Sequence, residues 1–308
     1  MTRREPAKGG AGRLVVQADQ RLAGQIRYLS GQRMVFFAGL PGTGKSLLVH
    51  QLAHLASGAG RSVHLLQWDV ARPVFEATAA GRRYPLADGV THSVIRRAAG
   101  LWARRALVAW DDRHPEPRHL LVGETPFVGN RFVELARRLD DGAESLLSAP
   151  SCRFAIAVPS PEVRRFLVAL RERRAASPLH PREREDAPPR VLRDLLREVF
   201  EAARRLGIDV GSTGPPGERG ARPSDAPAPY DPSVYRRVYE TVLRHRNVDV
   251  LSLDVILPTD SLSVYDFAVA RPDLVPTESE AEESIREVER RYPDAIRFEA
   301  EIARWWEV

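Results

Sequence analysis

Gly39-Leu40-Pro41-Gly42-Thr43-Gly44-Lys45-Ser46, entered from the apolar run Met34-Val35-Phe36-Phe37-Ala38, is the stretch of this chain that decides its fold. The pattern is G-x-x-x-x-G-K-S. Its glycines let the backbone curl so that successive N–H groups face a di- or triphosphate, Lys45 reaches the β- and γ-phosphates, and Ser46 ligates Mg²⁺. The run before it reads as a short buried strand and residues 46–59 as a helix, whose N-terminal dipole adds to the anion site. Strand, loop and helix together set this stretch apart from a chance glycine-rich turn. The expected nucleotide-binding positions are Gly39, Leu40, Pro41, Gly42, Thr43, Gly44, Lys45, Ser46 and Leu47.

Composition bounds the rest. Of 46 basic residues only Lys8 and Lys45 are lysine, so the chain keeps a slim ammonium where phosphates are expected. With 308 residues and 43% apolar content, one large α/β domain is expected. A single cysteine, Cys152, excludes an internal disulfide, and no apolar run approaches the length of a membrane span, so a cytoplasmic protein without a membrane partner is expected. A net charge of +5 invites a nucleic-acid partner, but the arginines are spread among 41 acids and no basic block is interleaved with aromatics. Most of them are expected on solvated helix faces.

The pattern along the chain predicts a polar tail over 1–12, a helix over 14–29, and a second strand over 62–68 followed by a helix opened by Arg72-Pro73. A long helix starts near Thr91. Its end competes with a strand over 106–110 that would close on Asp111-Asp112, and the helical reading is preferred. Strands are expected at 119–122 and 154–158, with a helix over 132–139 between them. Alternating strands and helices predict a doubly wound parallel sheet. Ser160-Pro161 then caps a helix with the apolar stripe Val163, Phe166, Leu167 and Leu170, which leaves Arg164 and Arg171 together on its flank. A second amphipathic helix comes next, over 191–203. The glycine- and proline-rich stretch 207–230 reads as a disordered insert, after which the same domain resumes over 231–308 with a helix at 234–244, a strand at 248–253 and a final acidic helix at 279–290.

With lysine only at positions 8 and 45, the guanine-reading N-K-x-D motif is impossible. The second strand and the residues just after it, Val63-His64-Leu65-Leu66-Gln67-Trp68-Asp69-Val70-Ala71-Arg72, resemble the P-loop kinases that include adenylylsulfate kinases, zeta-type toxins and polynucleotide 5′-kinases, in which G-x-P/S-G-x-G-K-S precedes a strand ending in D-x-x-R. The resemblance covers residues 35–174 and implies a P-loop NTPase core with a helical lid. It implies that Asp69 orients or deprotonates an acceptor hydroxyl and that Arg72 holds the acceptor or a phosphate. The alternative for Asp69 is a cap on the helix near Pro73. Asp69 is expected on the strand beside the P-loop strand, in the ligand crevice of an open parallel sheet. Glu124 takes the place of an acid after the family's third strand and would serve Mg²⁺ or the acceptor, or stand as a plain loop acid. Arg131 matches an arginine that opens the next helix. Arg164 and Arg171 resemble the arginines of the lid, which clamp transferring phosphates; the alternative is two exposed helix arginines.

The sequence therefore predicts an ATP- and Mg²⁺-dependent phosphotransferase with a hydroxyl acceptor on a small molecule or nucleotide. Lys45, Asp69, Arg72, Arg164 and Arg171 would be its catalytic residues, with Ser46 and Glu124 at the metal. A polynucleotide 5′-kinase and a non-catalytic ATP switch are the two alternatives.

Overall fold

The computed structural model describes residues 14–87, 89–185, 188–210, 230–267 and 273–308. The expected tail over 1–12 and residues 211–229 of the expected insert over 207–230 lie outside the described residues. Five strands form one sheet: β1 (Met34–Ala38), β2 (Ser62–Gln67), β3 (His119–Thr125), β4 (Cys152–Pro159) and β5 (Val248–Leu253). They lie in the order β2-β3-β1-β4-β5, and every pairing is parallel.

The sheet is covered on both faces, as its near-continuous apolar strands require. Side chains alternate along β1. Val35 and Phe37 join the core made with α1 (Gln20–Ser30) and α2 (Lys45–Gly58), whereas Met34, Phe36 and Ala38 join the larger core on the opposite face. That larger core gathers α3 (Trp68–Ala77), α4 (Ser93–Arg113), α5 (Gly142–Ser148), α7 (Pro189–Arg205), α8 (Pro232–Val242), α9 (Glu278–Arg291) and α10 (Ala295–Ala303). The remaining described helix, α6 (Pro161–Ala176), is capped by Ser160, whose hydroxyl accepts from the Val163 N–H at 3.2 Å. Because β5 pairs with β4, the segment after residue 230 belongs to the same sheet as the segment before it. None of the described helices is long and apolar enough to cross a membrane.

Several elements differ from the sequence reading. Residues 106–112 are the end of α4, as the helical alternative had it. The expected helix over 132–139 is only a single tight turn, Val133–Leu135, because Phe132 is held at φ 60°, outside helical geometry. The helix expected to open at Pro73 begins five residues earlier at Trp68, with Pro73 inside it. A proline cannot donate to the carbonyl four residues back, so the Asp69 carbonyl lacks its helical partner. The acidic helix α9 is not the last, since α10 comes after it.

At the centre of the sheet Gly123 of β3 pairs with Phe36 of β1 and Leu66 of β2, and a Cβ there would run into the Phe36 ring. Gly123→Ala is therefore expected to lower stability by about 1–3 kcal/mol, the usual cost of overpacking a filled core. Urea unfolding of the two proteins measures it, and an unchanged midpoint would contradict the packing described.

Candidate functional site

The loop between β1 and α2 bends through three left-handed glycines, with φ of 143° at Gly39, 72° at Gly42 and 87° at Gly44. Only glycine takes all three without strain. Gly39 has a second reason to be glycine: a Cβ would collide with the Tyr235 hydroxyl, which also accepts the Leu40 N–H at 3.1 Å. Inside the loop the Leu40 carbonyl accepts from Thr43 Oγ1 at 2.8 Å and from Lys45 Nζ at 2.7 Å. Leu47 lies in the first turn of α2.

Lys45 is 3% exposed, and burial pushes its pKa down to about 8 against the pull of Glu124, whose carboxylate lies 3.7 Å from Nζ. Glu124 is the penultimate residue of β3, and Ser46 Oγ donates to its two oxygens at 3.2 and 3.1 Å. Burial raises the Glu124 pKa, and the neighbouring Lys45 opposes that rise. Lys45, Ser46 and Glu124 thus converge at the carboxyl end of β1 and β3.

Asp69 is placed differently from expectation. The strand that leads to it, β2, is separated from β1 by β3, so the acid beside β1 is Glu124. Asp69 is exposed in the first turn of α3, and its charge still acts on Lys45, Glu124 and Arg131. It does not cap α3, whose cap position is Gln67. Arg72 points into a different contact, donating to Glu76 at 3.0 and 2.8 Å.

Arg164 and Arg171, seven residues apart on one face of α6, both reach the loop. One guanidinium nitrogen of each lies 3.6 Å from where a Gly42 Cβ would stand. Arg164 is buried and donates to the Pro41 carbonyl at 3.2 Å and the Gly42 carbonyl at 3.0 Å, with Tyr230 beneath it at 5.6 Å from the ring centre. Beside it, between α6 and α7, opens a cavity of about 520 Å³ lined by Arg165, Glu172, Leu192, Arg193 and Tyr230. That volume suits a small ligand.

Two groups escaped the sequence reading. The first is the tyrosine set of α8 and its approach, where Tyr235 holds the Leu40 N–H and Tyr239 donates to the Pro126 carbonyl at 3.0 Å. Spacing of four on one helix face was the available signal. The second is the segment after β3. Phe127, Gly129, Asn130 and Phe132 all have φ between 59° and 67°, and the carboxamide of buried Asn130 has no hydrogen-bond partner among the described residues. Strain of this kind costs about 1–3 kcal/mol at each of the three non-glycine residues and collects at ligand sites. Arg131 lies in this segment, bridged to Phe127 rather than opening a helix, and Glu198 of α7 balances both Arg131 and Arg96. The Gly129-Asn130 pair was its only local signature.

Comparison of the chain with protein-family models, with curated proteins and with solved structures gave no match. Tyr235→Phe is expected to cost about 1–3 kcal/mol by leaving the buried Leu40 N–H without an acceptor. Denaturant unfolding and hydrogen exchange at the Leu40 amide measure it. Unchanged protection at that amide would contradict the role assigned to the hydroxyl.

Proposed function

We propose that the protein is an ATP-dependent, Mg²⁺-assisted phosphotransferase acting on a hydroxyl of a small molecule or nucleotide. The observation that carries this reading is the convergence of Lys45, Ser46, Glu124, Arg164 and Arg171 on a loop with three left-handed glycines at the carboxyl end of a parallel sheet. Phosphoryl transfer asks the protein for position and charge neutralisation rather than covalent chemistry, and this arrangement offers both.

In this reading the backbone of Gly39 to Ser46 cradles the β- and γ-phosphates, while the Lys45 ammonium leaves the Leu40 carbonyl to meet them. Ser46 and Glu124 would hold Mg²⁺, Ser46 directly and Glu124 through water; hydroxyl and carboxylate oxygens are the ligands that ion prefers. The ion would neutralise charge on the transferring group. Arg164 would release the loop carbonyls and, with Arg171, clamp phosphate oxygens. Asp69, near Lys45 and Arg131 yet outside the Ser46 contact, is the residue left to orient or deprotonate the acceptor. Arg72, tied to Glu76, would act on the acceptor only by exchanging that partner.

Incubation with γ-labelled ATP, Mg²⁺ and a metabolite extract, followed by mass spectrometry, tests the function. A labelled small-molecule product is expected with the native chain and none with Lys45→Ala. ATP binding with no labelled acceptor would favour the regulatory switch, and labelling of oligonucleotide 5′ ends alone would favour the polynucleotide kinase.

The acids should separate by role. Asp69→Asn is expected to keep ATP affinity and lower transfer by about 10²-fold or more, the usual contribution of a positioned base. Glu124→Gln should weaken Mg²⁺-dependent nucleotide binding first. Calorimetry and single-turnover assays distinguish the two, and the reverse pattern would exchange their roles.

Binding should also be linked to protons. The Lys45 pKa sits near 8 before binding, below its ordinary 10.5, and phosphate oxygens favour the charged form. ATP binding is therefore expected to take up a proton above about pH 8 and to weaken by up to about tenfold per pH unit there. Titration calorimetry in two buffers of different ionisation heat reads the uptake. Lys45→Ala should abolish it.

A further inference from the structure

At the opposite edge of the sheet, where β2 and β3 begin, three imidazoles meet. His64 lies in β2, His119 opens β3, and His114 caps the carboxyl end of α4. One ring nitrogen of each lies within 4.8 Å of the others. The His64 Nε2 and His119 Nδ1 atoms are 3.1 Å apart. Two nitrogens bound to one tetrahedral zinc at 2.0–2.1 Å stand about 3.3 Å apart, so this pair already has nearly the separation that the ion requires.

The surroundings fix the rings from behind. Glu116 Oε2 lies 3.3 Å from His119 Nε2, the ring nitrogen remote from His64. A histidine that ligates a metal commonly donates its other N–H to a carboxylate, which orients the ring and leaves the facing nitrogen its lone pair. Two arginines hold the backbone of the turn between α4 and β3. Arg33 donates to the carbonyls of His114, Glu116 and His119, and Arg61 to those of Pro117 and His119. The Arg33 charge is balanced by Asp111 at 2.7 Å.

We propose that His64, His114 and His119 form a binding site for one zinc ion, with Glu116 as the residue that positions His119. Neutral imidazole selects zinc and its neighbours among the transition metals, whereas Mg²⁺ and Ca²⁺ ask for oxygen ligands that the three rings do not offer. Zinc would replace the His64–His119 contact. His114, whose ring now stacks at 4.5 Å on His119 and 4.4 Å from His64, would turn its nitrogen toward the ion. Water completes the fourth position. The ion would tie the end of α4 to the first residues of two strands, and by binding the folded chain alone it would raise the melting temperature.

The test uses the full chain, stripped with a chelator and titrated calorimetrically with zinc chloride in a non-coordinating buffer. Binding of one equivalent is expected, weakened at least about 100-fold in the double variant His64→Gln, His119→Gln and about 10–100-fold in Glu116→Gln. Zinc should raise the melting temperature of the native chain and not that of the double variant. Cobalt in place of zinc should give the visible absorption of a four-coordinate ion with nitrogen ligands. Absence of saturable binding overturns the proposal, as does equal binding by a double variant whose circular dichroism matches the native chain. Competition by Mg²⁺-ATP also overturns it, since that would place the ion at the phosphate loop. Should the double variant not fold, unchanged affinity in Glu116→Gln together with a six-coordinate cobalt spectrum overturns it in the same way.

Discussion

A lysine ammonium has been taken almost entirely out of water, and the arrangement around the loop depends on where its charge is met. Lys45 Nζ has one carbonyl acceptor within its own loop and one carboxylate from outside it. The carbonyl is available because Gly39, Gly42 and Gly44 fold the loop back on Leu40, and the Leu40 N–H is in turn held by Tyr235 from a helix 195 residues away. The carboxylate is available because β3 lies beside β1, in a register that sets Glu124 opposite Phe37, one residue before the end of β1. Shift that register by one and Glu124 would point to the other face of the sheet. A single buried charge therefore ties together loop conformation, strand order and strand register.

The parts of this arrangement that could be read from sequence are those fixed by neighbours in the chain. The glycine spacing, the strand before it, and the shared flank of Arg164 and Arg171 depend on local geometry, and they stand where the sequence put them. Strand order depends on pairings between distant segments, which no local pattern encodes, and the place expected for Asp69 differs from the structure for that reason. Asp69 was given the place beside β1 that β3 occupies with Glu124. Pro73 misled in a more local way. Proline is at home in a first helical turn, yet here Trp68 starts the helix because its ring is buried against the core, and the gain from that burial outweighs one missing backbone bond. In the loop after β3 the apolar residues Phe132, Val133 and Leu135 mimic a helical pattern, yet they fill the core from a single tight turn that follows the left-handed Phe132.

The arginines were expected mainly on solvated faces, and many are there, but several are among the most buried side chains of the molecule. Arg104 meets Asp141 and Glu144 while also donating to the Glu134 carbonyl. Arg246 meets Glu144 and the carbonyls of Leu135 and Arg137, and Arg97 bridges Glu134 and Glu301. A planar guanidinium with five donors can satisfy a carboxylate and a backbone carbonyl at once, which an ammonium does less well in a fixed direction. These charges sit around the non-helical turn at residues 133–141, where backbone carbonyls would otherwise lack donors. The chain's preference for arginine is thus partly a way of closing an irregular segment against the core. Breaking one partner of such a set costs about 3–5 kcal/mol, although an apolar replacement of the whole set need not.

The two ends of the sheet carry opposite chemistry. At the carboxyl ends, Lys45, Arg164 and Arg171 surround a loop whose backbone N–H groups favour anions. At the amino ends, the His64, His114 and His119 rings offer lone pairs to a cation. Along β3, His119 and Glu124 are five residues apart, which at about 3.3 Å per residue is roughly 16 Å. No side chain spans that distance, so an ion at the histidines would not touch a phosphate at the loop. Any influence would pass mainly through β3, the strand that holds both His119 and Glu124. Because β3 pairs with β1 along its length, such an ion would act mainly on how firmly the sheet holds Glu124 opposite Phe37.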